Sequence, residues 1–412
     1  NISGQKPGFT KIRTAHGTVM LSKNRVIILN DGTSLDLRKI KWGAFRRDPY
    51  AMFLLGELYF TGQGVGRNLK KSIKWLTRSV DKGNTNAMYV LSMAAREYDD
   101  EQLHSRIHEM LLESAEQGCP LSMRQLGIDY HNGDYVERDL YASRDWLTKA
   151  LEADCPDTRF FLGHIYFFAE EEDLRDRDRG LELLKIDSDE GNAEASYVLA
   201  MIYREGMVSE PNQFLYTKYI HKAGDQGSGI ANLIYGDMMM EGSAYVEMDR
   251  EGAYLRYRTA LDQGCEAATA NIGMCHMFGL GTEQDNALAL EYLQRGVEAD
   301  SVAAMNNLAM MYANGVGVEK DGAYAVELYR MAVEKGSMNA LVNLAVMYAM
   351  GNGVEQDVAK AEELLTEAAE AGIPNAQMNL EALRNGAQTT RNVISFSNGK
   401  IKGVSVEERD EE

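Results

Sequence analysis

The sequence predicts an all-α protein, an α/α solenoid of about nine and a half helical-hairpin repeats of about 36 residues with a short β-hairpin appendage at each end. First, a helix-ending residue, glycine in seven cases and aspartate in two, recurs at intervals of 35 to 37 residues. Second, columns of large, small and aromatic residues recur at the same spacing. Third, proline is rare, with 6 among 412 residues. A period this regular is typical of one supersecondary unit stacked many times. The helix-ending positions are Gly83, Gly118, Asp154, Gly191, Gly227, Gly264, Asp300, Gly336 and Gly372.

Residues 1–47 are predicted as an N-terminal extension that caps the first repeat. Within it, residues 17–40 alternate short apolar runs around the turn residues Asn30, Asp31 and Gly32. Turn residues between alternating strands are a strong short-range hairpin signal. A solenoid has to seal its terminal apolar faces, so we expect this segment to be a cap or a short β appendage.

Residues 48–385 are predicted as the repeat solenoid, and the eighth repeat gives its clearest unit. Apolar residues spaced three and four apart predict one amphipathic helix from about 301 to 314 and another from about 322 to 335. Between them lies a loop with Gly315 and Gly317, where a positive φ is easily adopted. Each repeat is therefore predicted to be a helical hairpin.

Three columns define the register of the repeats. A large apolar column predicts a buried spine, and the following column stays small because a neighbouring helix has to approach closely there. An aromatic column comes four residues after the spine. The best-conforming members are Leu55, Leu126, Leu162, Leu308 and Leu344 for the spine, Gly56, Gly127, Gly163, Ala309 and Ala345 for the small column, and Tyr59, Tyr130, Tyr166, Tyr312 and Tyr348 for the aromatic column.

These residues resemble the Sel1-like repeat, a relative of the tetratricopeptide repeat, over about residues 48–385. The first repeat carries the resemblance in Ala51 through Gly56, followed by Tyr59, Gly62, Gly64 and Val65. Repeats two, four, five and six depart from the pattern, most clearly at Tyr98-Asp99-Asp100 and at the acidic stretch 170–173. The resemblance implies a helical solenoid that assembles other proteins as an adaptor or scaffold.

Residues 386–412 are predicted as a C-terminal β-hairpin and an acidic tail. Residues 393–406 alternate around Asn398-Gly399, a pair that favours a two-residue hairpin turn. All six residues of 407–412 are charged and five of them are acidic, and we expect them to form a solvated tail.

Charge and hydropathy limit the classes of partner. With 43 basic and 62 acidic residues the formal net charge is −19, which disfavours nucleic acid and favours a basic protein partner. No apolar run approaches the roughly 18 residues of a membrane helix, so integral membrane insertion is not expected. The pattern predicts no particular oligomeric state.

Cysteine usage bears on the compartment. The chain has four cysteines, and Cys119, Cys155 and Cys265 fall at one repeat position, too far apart for a disulfide between neighbouring repeats. Some proteins with this kind of repeat carry a disulfide in each unit, a pattern that this sequence lacks. We therefore expect a cytoplasmic protein; because the first residue is Asn1, a processed N-terminus leaves a periplasmic or secreted location open.

Several motifs were weighed as sites of chemistry. Gly62, Gly64 and Gly66 resemble a nucleotide-binding loop, but the predicted flanking helices and recurrence in other repeats favour an interhelical turn. His104 and His108 have the spacing of a metal pair on one helix face, yet no third ligand is evident, and a solvated pair is the favoured interpretation. The sequence thus predicts no catalytic residue, cofactor or metal, and a protein that is not an enzyme.

Two features remain as candidate partner contacts. An asparagine column, Asn271, Asn307, Asn343 and Asn379, directly precedes the spine and could hydrogen-bond an extended peptide; a structural ladder between repeats is the equal alternative. The acidic stretch 170–173 is either a contact for a basic partner or a solvated loop. The predicted function is a protein-protein adaptor, and the alternative is a dedicated inhibitor or immunity protein that occludes a basic toxin or enzyme.

Overall fold

The computed structural model describes residues 9–14, 17–22, 26–28 and 34–385. Four short strands come first, β1 Phe9–Thr14, β2 Gly17–Ser22, β3 Val26–Ile28 and β4 Ser34–Asp36. They pair antiparallel in the order β1-β2-β3-β4, with Ile12 opposite Val19 and Ile27 opposite Leu35. The predicted turn at Asn30–Gly32 and the whole predicted C-terminal hairpin lie outside the described residues, so the two hairpin appendages stay predictions.

From residue 37 onward the described chain is helical, and the predicted α/α solenoid fold is confirmed. Helix α1 precedes the repeats, and each repeat then contributes a first and a second helix. The helices are α1 Leu37–Phe45, α2 Pro49–Thr61, α3 Leu69–Val80, α4 Asn86–Arg96, α5 Glu101–His104, α6 Ile107–Glu116, α7 Pro120–Asn132, α8 Leu140–Glu152, α9 Arg159–Phe168, α10 Arg177–Asp189, α11 Ala193–Arg204, α12 Gln213–Asp225, α13 Gly229–Glu241, α14 Arg250–Asp262, α15 Ala268–Phe278, α16 Asn286–Glu298, α17 Val302–Asn314, α18 Gly322–Glu334, α19 Met338–Met350, α20 Val358–Glu370 and α21 Pro374–Arg384.

Helix α1 begins at Leu37, inside the segment that the sequence predicted to be a cap or a short β appendage. Asp36 caps it by accepting a hydrogen bond from the backbone N–H of Arg38 at 2.8 Å. Its buried side chains, such as Leu37 and Ile40, pack with Leu55 and Leu58 of the first repeat. From Leu37 the segment is therefore helical, because apolar residues spaced three and four apart make a helix that can cover the first hairpin.

The small column is small because of the second helix of the same hairpin. A Cβ at Gly56 would lie 2.6 Å from Leu76 Cγ, and one at Gly236 would lie 2.7 Å from the Tyr257 ring. At those distances the helices could not keep their separation. Ala309 and Ala345 occupy the same column in later repeats and are fully buried.

The aromatic column anchors the start of each second helix through its backbone. The carbonyl oxygen of Tyr312 accepts the backbone N–H of Asp321 at 2.9 Å, and the Asp321 carboxylate in turn accepts the N–H of Tyr324 at 2.9 Å. A carboxylate in this position caps the helix and is favoured by its dipole. The same backbone pairing joins Tyr59 to Asn68, Tyr130 to Asp139, Tyr166 to Asp176, Tyr203 to Asn212 and Tyr348 to Asp357.

The recurring glycine loops are interhelical turns that also join neighbouring repeats. The first glycine ends the first helix in a left-handed conformation, as at Gly315 with φ 72°. The second glycine lies against the second helix of the preceding repeat. A Cβ at Gly281 would overlap the carbonyl oxygen of Arg250, and one at Gly353 would overlap the backbone of Gly322. The glycine pair is therefore a packing requirement as well as a turn.

The second repeat departs most from the pattern. Its second helix is divided into α5, which ends at His104, and α6, which begins at Ile107. The predicted placement of His104 and His108 on one helix face is therefore wrong. His104 Nε2 lies 2.9 Å from the carbonyl oxygen of Ala95, whereas His108 Nε2 lies 3.5 Å from the Tyr130 hydroxyl.

The chain divides into two compact units, residues 1–187 and residues 188–412. In the first unit Leu76, Leu91 and Leu126 belong to one buried cluster of the helices α3 to α7. In the second unit a larger cluster includes Leu308 and Leu344 of the spine. Each unit thus buries its spine within its own stack of hairpins.

Candidate functional site

The asparagine column lies on four successive first helices of the second unit, α15, α17, α19 and α21. Asn271, Asn307 and Asn379 are only 5% to 6% exposed, and Asn343 is half-buried. In α15 and α17 the surrounding side chains are buried on every face over most of the helix. The column thus lies within the packed stack in this structure rather than on an open surface.

Two of the four asparagines connect neighbouring repeats. Asn271 Nδ2 donates to Asp237 Oδ1 at 2.7 Å, and Asn343 Nδ2 donates to Asn306 Oδ1 at 2.9 Å. These contacts are those of the structural ladder that the sequence left as an alternative. Asn307 Oδ1 and Asn379 Nδ2 have no hydrogen-bond partner within residues 34–385. Peptide binding by this column stays a prediction.

Asp237 is the ionisable group beside this column. Its Oδ1 accepts hydrogen bonds from the Tyr257 hydroxyl at 2.9 Å and from Asn271. Burial, with a smaller contribution from the nearby Glu241 charge, raises the pKa of Asp237 to about 6. Burial and the Asp237 carboxylate together raise the pKa of Tyr257, so that its hydroxyl remains a donor.

A surface strip of large apolar side chains follows two interhelical loops of the second unit. We name as the loop edge Met207 and Val208 in the α11–α12 loop, Phe214 at the start of α12, and Tyr245 and Met248 in the α13–α14 loop. All five are 39% to 58% exposed. The Phe214 and Tyr245 rings lie edge to face with centroids 6.0 Å apart, which joins the two loops into one patch.

The departure of these loops from the glycine pattern explains why the loop edge projects. In the α13–α14 loop the Ser243 hydroxyl accepts the backbone N–H groups of Tyr245 and Val246 at 3.2 and 3.1 Å. Ser243 N–H also donates to the Val246 carbonyl at 2.7 Å, which closes a tight turn that leaves the Tyr245 ring outside. Exposed Glu210 and Glu247 lie in the same two loops and add negative charge.

A separate concavity of about 130 Å³ lies in the first unit, between the third and fourth repeats. We name it the histidine cleft. It is lined by His131, Arg138, Leu140, His164, Ile165, Phe168, Ala169, Glu170 and Glu171. The acidic stretch singled out in the sequence therefore contributes two of its four residues to a concave site.

The two imidazoles of the histidine cleft interact directly. His131 Nε2 lies 3.3 Å from His164 Nδ1, and His131 Nδ1 lies 3.0 Å from Asn132 Oδ1. The His164 ring packs on Phe168 with centroids 4.7 Å apart. Burial and the neighbouring His131 both lower the pKa of His164, so its neutral form is favoured near pH 7.

Metal clusters, membrane-spanning helices and disulfides can each be compared with the described part of the chain. Within it, no group of three or more His, Cys, Asp or Glu residues is arranged to hold a metal ion. No helix among those described is both long enough and apolar enough to span a bilayer. All four cysteines are free thiols, and burial raises the pKa of the Cys275 thiol to about 12.

The sequence did not indicate the loop edge, and of the histidine cleft it indicated only the acidic stretch with Glu170 and Glu171. His131 and His164 occupy different positions in their repeats, so no column or motif connects them. The loop edge follows from side chains in divergent loops, for which the repeat pattern makes no prediction. The signal in the sequence was the loss of the repeat pattern. Both sites lie at interhelical loops in which the Gly-x-Gly pair of the other repeats is not kept.

Comparison with known proteins identifies the repeat. The sequence model described as the Sel1 repeat matches residues 49–84, 120–155, 267–301, 302–337 and 339–373. This chain contains five Sel1 repeats. The matched segments correspond to repeats one, three, seven, eight and nine, and the divergent repeats two, four, five and six lie outside them. Solenoids of Sel1 repeats generally mediate protein-protein interactions.

Individual relatives are distant. An uncharacterised protein of Neisseria meningitidis serogroup B is 27% identical over 183 residues, which is 38% of this chain and 38% of that protein. A protective antigen of uropathogenic Escherichia coli with an SLR fold is 22% identical, covering 85% of this chain and 83% of its own, with a TM-score of 0.49. A Sel1 repeat protein from Oxalobacter formigenes is 25% identical, covering 76% and 90%, with a TM-score of 0.49.

Proposed function

We propose that this Sel1 repeat protein is an adaptor that binds a partner protein, with the loop edge as the centre of the contact. The observation that supports this proposal is the concentration of five large apolar side chains, all substantially exposed, in the hairpin loops of two neighbouring repeats and at the start of α12. Aromatic and methionine side chains are the residues enriched at the centres of protein interfaces. An apolar patch of this kind on a folded protein is typical of an interaction site.

The corresponding loops of the later repeats provide an internal comparison. In repeats seven to nine the same segments hold glycine pairs that pack closely on the preceding repeat, and their large exposed side chains in the loop are polar rather than apolar. Glycine at these positions is sufficient for the repeats to stack. The large residues at Met207, Tyr245 and Met248 are therefore not required for stacking, which favours a role in binding.

The chemistry of the loop edge suggests the chemistry of the partner. The exposed Glu210 and Glu247 border the apolar side chains, and the whole chain carries a formal net charge of −19. A complementary surface would be apolar at its centre and basic at its rim. We place this interaction in the cytoplasm, since the chain lacks the repeat-associated cysteine pattern that would favour an oxidising compartment.

The second candidate function is inhibition of one basic protein, as an immunity protein would do. The net charge of −19 favours this alternative, because a strongly acidic surface can approach and cover a basic active site rapidly. An adaptor should capture several proteins with moderate affinity. An inhibitor should capture one protein in a one-to-one complex.

The test is capture of partners by the tagged chain from fractionated extracts of its native cells. The variant Phe214→Ser/Tyr245→Ser removes the two contacting rings of the loop edge. Val358→Ser/Met350→Ser removes two comparably exposed apolar side chains of the ninth repeat and serves as the matched control. Both variants should retain the helical signal and melting temperature of the parent, since the substituted side chains are exposed.

We expect the loop-edge variant to lose about tenfold or more of the captured partner, since truncation of one central aromatic residue often costs 2 kcal/mol or more. The control variant should capture the partner as the parent does. Equal loss in both variants, or full capture by the loop-edge variant, would exclude the loop edge as the contact. Recovery from cytoplasmic or extracytoplasmic fractions tests the proposed compartment in the same experiment.

A further inference from the structure

We propose that the histidine cleft receives one basic side chain, arginine or lysine, of the bound partner at neutral pH and releases it at mildly acidic pH. This inference rests on the proposed function, because it assigns a second contact to the same partner. The two proposed contacts are different sites, since the histidine cleft lies in the first unit and the loop edge lies in the second.

The size of the cleft fits a single side chain. Its volume of about 130 Å³ is well below the roughly 300 to 1,000 Å³ of pockets that enclose cofactors and drug-sized ligands. Its floor is apolar, with Leu140, Ile165 and Ala169 buried. Such a floor suits the aliphatic stem of an arginine or lysine, whose charged end would stay near the rim.

Three features of the cleft favour a positive charge. Glu170 and Glu171 line it and are exposed. Helix α9 ends at Phe168, two residues before Glu170, so the partial negative charge of its carbonyl end is directed towards the same region. The Phe168 ring also lines the cleft, and an aromatic face attracts an ammonium or guanidinium group.

Arg138 is the one cationic residue in the lining, and its side chain has a structural partner. Its Nε donates to the carbonyl oxygen of His131 at 3.1 Å. The same bond recurs at the same repeat position in other repeats. Arg67 donates to Phe60, Gln284 to Met277 and Gln356 to Ala349, at 3.0, 2.9 and 2.9 Å. The hydrogen bond that Arg138 makes is therefore one that a neutral glutamine also makes. The two carboxylates of the lining carry more negative charge than Arg138 carries positive charge.

Protonation of an imidazole in the cleft would weaken its preference for a positive charge. The ionisable groups of the lining are His131 on α7, Arg138 in the α7–α8 loop, His164 on α9, and Glu170 and Glu171 after α9, while α8 contributes Leu140. With neutral imidazoles the cleft has one net negative charge. Each proton that the cleft takes up removes one unit of this negative charge, so a basic side chain is expected to bind less tightly on acidification.

The experiment uses the full chain with isotope-labelled histidine and follows the His131 and His164 ring signals by NMR. The probe is N-acetyl-arginine methylamide, and the matched neutral probe is N-acetyl-citrulline methylamide. At about pH 7.5 we expect saturable shifts with arginine at millimolar concentration, at least about fivefold tighter than with citrulline, and loss of the difference near pH 5.5. Lysine methylamide tests the second basic side chain in the same way.

The variant Glu170→Gln/Glu171→Gln should remove the preference for arginine, and Glu172→Gln, outside the lining, should not change it. Equal binding of the two probes, the same preference in the Glu170→Gln/Glu171→Gln variant, or tighter arginine binding near pH 5.5 would each overturn the inference. These outcomes leave the loop-edge capture test unaffected. Conversely, arginine binding together with failed capture by the loop edge would retain the cleft and reject the proposed docking surface.

Discussion

Asp237 lies on α13 between two donors, the Tyr257 hydroxyl and the Asn271 amide. In the unfolded chain such a carboxyl titrates near pH 4, whereas burial raises the pKa of Asp237 in the folded chain to about 6. Between these values the folded state binds the additional proton. The stability linked to this residue is therefore fully present below about pH 4 and is lost as the pH rises through 6.

Replacement of Asp237 by Asn should remove this dependence, because an amide oxygen still accepts from Tyr257 and carries no charge. We expect Asp237→Asn to gain stability relative to the parent between pH 4.5 and pH 7, on the order of 1 to 2 kcal/mol. Urea unfolding at both pH values measures the difference, and Asp262→Asn on an exposed site of α14 is the control. A pH-independent difference would show that Asp237 does not titrate in this range.

At the scale of elements, the glycine loop links one hairpin to the next. Gly279 and Gly281 both have positive φ, 65° and 71°. A Cβ at Gly279 would lie 3.5 Å from the Gln284 side chain, which is an ordinary contact, whereas one at Gly281 would overlap the Arg250 carbonyl. The two positions therefore share backbone strain and differ in packing.

We expect Gly279→Ala to destabilise the protein by about 1 kcal/mol through the left-handed conformation alone. Gly281→Ala should cost about 2 kcal/mol more, because α14 and the loop have to separate. Thermal melts of the two variants give the comparison directly. Equal melting temperatures would mean that the loop moves away from α14 without cost.

The helices could be predicted from sequence because every spine residue has an equivalent about 36 residues later, so the same pattern recurs in each repeat. Leu308 is buried as predicted, and Gly56 is small for an identifiable reason, the Leu76 side chain. Prediction failed where a repeat has no parallel. The division of the second helix at His104 and the start of a helix at Leu37 occur once, so no column supports them.

The candidate sites were less predictable for a related physical reason. A column that recurs in every repeat identifies residues required for packing between helices. Binding residues are not required for that packing, so they do not recur. The asparagine column was visible because it recurs, yet Asn271 and Asn343 make contacts between repeats. The Phe214–Tyr245 contact occurs in divergent loops, and only the folded chain brings those rings together.

At the scale of the whole molecule, charge is the property that sequence alone establishes. The net charge of −19 acts on any approaching basic protein over about one Debye length, roughly 10 Å at 0.1 M salt. Such a field accelerates encounter, whereas short-range contacts at the loop edge determine how long the complex lasts. Association and dissociation rates should therefore respond differently to salt.

For the partner captured by the tagged chain, we expect the association rate to fall about tenfold between 20 mM and 200 mM salt while the dissociation rate changes less than about twofold. Surface-immobilised parent protein and the Phe214→Ser/Tyr245→Ser variant provide the two measurements. The variant should keep the salt dependence of association and dissociate faster, because it retains the charge and loses the apolar contact. An association rate that does not respond to salt would reject the basic partner, and with it the inhibitor alternative that depends on charge.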